Sequence, residues 1–154
     1  MKVISLYQPY ASLVVAGLKQ YETRGWDTRY RGPLAIHATK NMPPWCVDLL
    51  GAPAFRAPMY DAGLYTDELP FGAIVGQVNL VRTLRAEDWI VEKQSDKENR
   101  DRWNQEFAYG DYSTGRFAWE LQSPVLFNKP IPARGSQGFW QFDLTSYTHG
   151  QVGI

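Results

Sequence analysis

Hydrophobic positions along this chain recur with two periods. Lys2–Leu6 alternates as a short strand does, and Tyr10, Leu13, Val14 and Leu18 then return at helical spacing. Pro9 fits the first helical position, where its missing N–H costs nothing, and Gly17 fits a left-handed helix stop. Tyr21–Trp26 reads as a strand with Glu22, Arg24 and Trp26 on one face and Tyr21 and Thr23 on the other. After an Arg29-Tyr30-Arg31-Gly32 turn, Pro33–Ala38 alternates again, with Leu34, Ile36 and Ala38 against Ala35 and His37.

Further along, Pro43 and Pro44 open a short helix through Leu50, closed by Gly51. Residues 52–70, rich in Pro, Ala and Gly, read as a long connection with at most a turn of helix. Phe71–Leu84 carries the strongest strand pattern, and Gly76 in its middle predicts a bend or bulge of the kind that curls a sheet. Ser95 with Glu98 predicts a capping box for a solvated helix reaching Phe107. Arg116–Leu126 and Phe139–Leu144 are further alternating strands, with Phe117, Trp119 and Leu121 on one inward face and Trp140, Phe142 and Leu144 on another. Strands without regular βαβ alternation predict an α+β fold, a small mixed β-barrel of about five or six strands with two to four peripheral helices.

At 154 residues the chain suits one domain, 1–154, large enough to bury about 70% of the surface its unfolded form exposes. One cysteine, Cys46, excludes an internal disulfide. With no signal-like start and no apolar run near the length of a membrane span, a cytoplasmic protein without membrane contact is expected. His37, His149 and Cys46 lie at no paired spacing, so no metal site and no cofactor are expected. Formal net charge is zero, which excludes bulk coating of duplex DNA, yet residues 1–40 hold six basic against two acidic side chains. An anionic ligand is expected to meet that end of the molecule first.

The chemistry concentrates there. Lys19, Glu22 and Arg24 put an ammonium, a carboxylate and a guanidinium within six residues, with Glu22 and Arg24 about 6.6 Å apart by Cα, two strand rises. Arg24 can donate to a phosphate or a carbonyl, and Glu22 can accept from an exocyclic amine. Each has a plainer reading: Lys19 complements the preceding helix end, and Glu22 pairs with Arg24. Tyr10, Trp26 and Tyr30 flank this segment as stacking candidates, and Arg31 adds a cation. Trp119 and Trp140 read as core, and His37 as a hydrogen-bonded structural residue. The Arg134–Gly138 loop lacks the Lys-Ser or Lys-Thr ending of a P-loop; it reads as a β-turn whose amides, with the Ser136 hydroxyl, can also meet a phosphate.

The run Leu6-Tyr7-Gln8-Pro9-Tyr10-Ala11, then Gly17-x-Lys19-x-x-Glu22-x-Arg24 and Tyr30-Arg31-Gly32-Pro33-Leu34-Ala35-Ile36-His37-Ala38, resembles the ASCH family, relatives of PUA domains. Gly72-Ala73-Ile74-Val75-Gly76, Phe117-Ala118-Trp119 and Gly135-x-Gln137-Gly138-x-Trp140 extend the resemblance in the right order. It implies a PUA-like β-barrel with a cleft floored by the Gly-x-Lys-x-x-Glu-x-Arg segment. It also implies RNA, another single-stranded nucleic acid or a modified nucleoside as partner, with Lys19, Glu22, Arg24, Trp26, Tyr30, Arg31, Gln8, Tyr10 and Ser136 as the binding set.

One branch of that family hydrolyses N4-acetylcytidine with a lysine, a threonine three residues later and a glutamate from a later helix. Lys19 matches the lysine, but Glu22 stands where the threonine is expected, and both Glu98 and Glu106 are available for the last role. If this chain is an enzyme, Lys19 and Glu22 are the implied catalytic residues. Ribonuclease activity, attributed to some small members, would bring in a divalent metal. The oligomeric state stays open.

Overall fold

A computed structural model describes residues 1–147. Strands β1 (Lys2–Leu6), β2 (Tyr21–Arg24), β3 (Gly32–Ala38), β4 (Ala73–Arg85), β5 (Phe117–Pro132) and β6 (Phe139–Gln141) form one sheet in the order β2-β5-β4-β3-β1-β6. Only β1 and β3 pair in parallel; every other neighbour is antiparallel. Helices α1 (Tyr10–Val15), α2 (Pro44–Leu49), α3 (Pro53–Asp61), α4 (Ala86–Gln94) and α5 (Arg100–Ala108) surround the sheet. The fold is therefore α+β, a curled sheet of the PUA-like barrel type.

The curl has a local cause. β4 and β5 are long, and their register shifts at three places, one of them between Ile74 and Gly76. A Cβ at residue 76 would lie 2.2 Å from the Val125 carbonyl oxygen and 2.7 Å from the Val15 side chain, so glycine is what lets α1 settle onto the bulged strand. The main core follows from this contact: Ala11, Val14 and Val15 of α1 pack with Ile4, Leu34, Ile36, Val78, Leu80 and Trp119. Gly17, at φ +81°, ends the helix and turns the chain toward Lys19.

Several sequence-based boundaries move. Pro9 lies just before α1, and β2 stops at Arg24, leaving Trp26 in an irregular segment. Residues 52–70 hold a nine-residue helix, α3, because Phe55 and Met59 bury one face against Leu13 and Tyr109. Helix α4 is absent from the sequence reading altogether; only Ala86 and Trp89 of its nine residues are buried, too few to set a helical period. Ser95 and Glu98 do not form the predicted capping box, since the Ser95 hydroxyl donates back to the Glu92 carbonyl and Glu98 lies in a 3-10 turn at Lys97–Asn99. β5 runs on through Ile131, which is fully buried against Val3 and Phe127, and β6 is only three residues long.

Candidate functional site

β2 is an edge strand paired only with β5, so one of its sides faces open space. A cleft of about 1390 Å³ occupies that space, walled by Glu22–Arg24 and Trp26, the 133–138 loop, the ends of β1 and β3, and Trp45 of α2. The walls carry four cations, Arg24, Lys40, Arg116 and Arg134, and two carboxylates, Glu22 and Asp111. Tyr7, Tyr10, Trp26 and Trp45 supply aromatic surface.

At the floor, Glu22 sits between two cations: Lys19 Nζ is 3.6 Å from Oε1 and Arg24 Nη1 is 3.6 Å from Oε2. The three groups differ in access. The Lys19 side chain is 1% exposed, that of Glu22 11% and that of Arg24 23%. Lys19 donates to the Tyr21 carbonyl, lies 5.8 Å from the centre of the Tyr10 ring and does not line the cleft. It acts as a buried counter-charge beneath Glu22, while Glu22 and Arg24 line the cleft. Arg24 also leans on Trp26, 5.7 Å from its ring centre, and Trp26 stands edge-on to Trp119 at 4.9 Å.

Glu106 of α5 approaches the same segment from behind. Its Oε1 accepts the backbone N–H groups of Gln20 and Tyr21 at 2.8 and 2.6 Å. Burial raises the Glu106 carboxyl above its ordinary range, while the Lys19 charge and the two amides pull the other way. Of the two glutamates open for the last role in the family resemblance, Glu106 therefore reaches the Lys19 segment, and Glu98 stays exposed. Thr23 also lines the cleft, its hydroxyl accepting the Asp111 amide at 3.0 Å. Arg116 fastens this wall, donating to the Thr23 and Asp111 carbonyls.

The opposite wall is the 133–138 loop, and its anchor is specific. His37 Nε2 donates to the Ala133 carbonyl at 2.8 Å, because a carbonyl can only accept; that leaves Nδ1 to accept the Ser5 hydroxyl at 2.9 Å. Trp140 Nε1 donates to the same Ser5 oxygen at 3.2 Å. Burial lowers the His37 pKa and outweighs the Ala133 hydrogen bond, which acts to raise it. His37 is thus the hydrogen-bonded residue its alternation predicts. Ser136 lines the cleft on the exposed part of this loop.

Besides Lys19, three more of the expected binding residues lie off the cleft. Gln8 is fully buried: its Nε2 donates to the Ser12 hydroxyl and the Pro70 carbonyl, and its Oε1 accepts the Ser12 amide. Tyr30 packs on Phe139 under the Lys2 ammonium, and Arg31 donates to Thr28 and Tyr30 carbonyls and to the Thr83 hydroxyl. None of the three lines the cleft. Conversely, Tyr7, Lys40, Trp45, Asp111 and Arg116 do, and only for Lys40 and Trp45 does the sequence carry a local signal, a cation and an aromatic bracketing a double proline. Among the described residues no group of three or more His, Cys, Asp and Glu side chains is gathered as a metal site would require.

A curled mixed sheet of this order, with an open cleft at its edge strand, defines the class: a PUA-like domain. Residues 4–130 match the ASCH domain model, and the chain belongs to the ASCH domain family. Activating signal cointegrator 1 from Homo sapiens is 30% identical over 152 residues, and its Mus musculus counterpart 29%. These matches cover 98% of this chain but 24% of either relative, so the chain spans about a quarter of their length. Among solved structures, an ASCH protein from Zymomonas mobilis superposes with a TM-score of 0.52 at 17% identity, covering 92% of this chain and 87% of that one. A single-substitution variant of that protein gives the same TM-score, 0.52, at 15% identity, over 92% and 89% of the two chains. At such identity the likeness is one of fold.

Proposed function

We propose that the cleft binds single-stranded nucleic acid, RNA foremost, or a nucleotide drawn from it. The observation that carries this reading is the Glu22–Arg24 pair: both side chains open into a cleft with aromatic walls, giving an acceptor for an exocyclic amine beside a donor for a phosphate or base carbonyl. Arg116, Arg134 and Lys40 extend the positive surface along the walls without making the whole protein basic, which suits unpaired bases taken up by stacking and edge contacts. Membership of the ASCH family supports the same ligand class. A cytoplasmic setting agrees with the free, buried Cys46, and none of the helices among the described residues is long and apolar enough to cross a membrane.

The test is a fluorescence-anisotropy titration of labelled single-stranded RNA against the wild type, Arg24→Ala and Glu22→Gln. Weaker binding by both variants at unchanged melting temperature supports the reading; equal affinity for all three overturns it. A second reading, hydrolysis of an acylated nucleoside or metal-assisted cleavage of RNA, rests on Lys19, Glu22 and Glu106 gathering around residues 19–22. The engagement of the Lys19 ammonium beneath Glu22 weighs against a free base there. Incubation with N4-acetylcytidine, and with RNA with and without Mg²⁺, tests it: released cytidine or fragments favour the hydrolase, and intact substrates leave the binding domain.

A further inference from the structure

The cleft, at about 1390 Å³, is larger than the roughly 300–1,000 Å³ of a site for one small ligand. Its aromatic surface is also divided. Trp26 stands beside Arg24, whereas Tyr7, Tyr10 and Trp45 form a second cluster: Trp45 meets the Tyr7 ring edge-on at 6.1 Å and the Tyr10 ring at 6.2 Å with a 43° tilt. Tyr10 joins the two regions, since its ring also lies 5.8 Å from the Lys19 ammonium beneath Glu22.

Core packing accounts for Tyr10, which rests on Leu13 and Phe55, but not for Tyr7 and Trp45. Trp45 is 53% exposed and Tyr7 45%, although both belong to the cleft wall. An edge-on contact fixes a ring while leaving a face open. The indole is also held on a short rigid element: Pro44 opens α2, and the neighbouring Cys46 is fully buried. Lys40, exposed and without an ion-pair partner among the described residues, also lines the cleft, five residues before Trp45 in the chain. A half-exposed aromatic face in a cleft that also carries an unpaired ammonium and a polar floor fits an unpaired base followed by its phosphate.

Resting on the nucleic-acid reading above, we propose that the Tyr7–Trp45 rim is a second base-stacking subsite, and that the ligand is a single strand of two or more nucleotides. One base lies at Glu22 and Arg24, and its neighbour stacks on Trp45 with the intervening phosphate toward Lys40. A mononucleotide fills only the first subsite.

Calorimetric titration of cytidine 5′-monophosphate and of a four-residue oligocytidylate, whose base carries the exocyclic amine Glu22 can accept, tests this with the wild type, Trp45→Ala, Trp45→Phe and Arg24→Ala. The wild type is expected to bind the tetramer at least about tenfold more tightly than the monomer. Trp45→Ala is expected to weaken the tetramer about 5- to 150-fold, the equivalent of one stacked base, and leave the monomer within about twofold. Trp45→Phe retains part of the tetramer affinity, and a melting temperature equal to wild type shows the exposed position is not needed for folding. Tetramer binding by Trp45→Ala at wild-type strength, or an equal loss for both ligands, overturns the second subsite. If Arg24→Ala weakens both ligands while Trp45→Ala changes nothing, only the rim fails; if the wild type binds neither, the nucleic-acid reading fails with it.

Discussion

Gly135 rests directly on His37: a Cβ at residue 135 would fall 2.6 Å from the His37 Cε1 and 2.9 Å from the Ser5 hydroxyl oxygen. This contact lets the 133–138 loop close down on β1 and β3 and become a cleft wall. Gly135→Ala is therefore expected to push the loop outward, at a cost of about 1–3 kcal/mol typical of overpacking a tight contact. A lowered melting temperature together with weaker RNA binding is the expected outcome, and an unchanged melting curve would show that the loop yields without cost.

The same anchor makes stability depend on pH. His37 is held neutral by burial, with its folded pKa below the ordinary 6.5. Between those two values the unfolded chain binds a proton that the folded chain does not. The contribution is thus complete above about pH 6.5 and is lost as pH falls through the folded value. Melting curves from pH 7.5 down to pH 5 are expected to show a loss of stability that His37→Gln flattens; an identical pH profile in the variant contradicts this assignment.

Glu106 separates two kinds of buried carboxylate. Both amides it holds, from Gln20 and Tyr21, rest on one oxygen, and among the described residues no turn or loop carbonyl takes them. Glu106→Ala strands the buried Tyr21 donor, at about 1–3 kcal/mol, and the part-buried Gln20 donor at less, whereas Glu106→Gln keeps an oxygen in place. Because the folded carboxyl titrates above its ordinary 4.5, its ionised form destabilises the fold: the favourable contribution is full below pH 4.5 and is lost as pH rises through the folded value. Denaturant unfolding at pH 7 is expected to rank wild type and Gln close together and Ala well below; equal stability of Ala and Gln would mean that water replaces the carboxylate.

What the sequence revealed divides along the range of the interactions involved. The alternation of Phe71–Leu84 and the Gly76 bulge are local, and both appear in β4 as expected. Lys19, Glu22 and Arg24 are also close in the chain, so their gathering was legible, although not the 1% exposure that sets Lys19 behind the cleft. Helix α4 was not legible, because it depends on Trp89 stacking on Tyr112 and Ala86 packing with Ala118, partners more than twenty residues away. Tyr30 and Arg31 mislead for the opposite reason: they follow the charged strand in sequence, but the turn into β3 carries them to another surface. Asp111 and Arg116 enter the cleft through contacts distant in sequence: the Asp111 amide donates to the Thr23 hydroxyl at 3.0 Å and Arg116 to the Thr23 carbonyl at 3.2 Å, spans of 88 and 93 residues.

The distribution of cations along the cleft sets how RNA binding responds to salt. Arg24 and Arg116 are each paired with a carboxylate, Glu22 at 3.6 Å and Asp111 at 3.5 Å, and part of their charge is already offset. Lys40 and Arg134 line the cleft exposed and form no ion pair among the described residues. These two are therefore the positions that would release counterions from a bound strand. At about 0.7 per neutralised phosphate, the slope of log affinity against log salt is expected near −1.4, far shallower than that of a protein gripping a backbone with many lysines. Lys40→Ala and Arg134→Ala should each reduce the slope by about 0.7, while Glu22→Gln weakens binding without reducing it. Titrations between 50 and 300 mM salt measure all four slopes; a slope steeper than about −3 would place most of the binding outside the cleft.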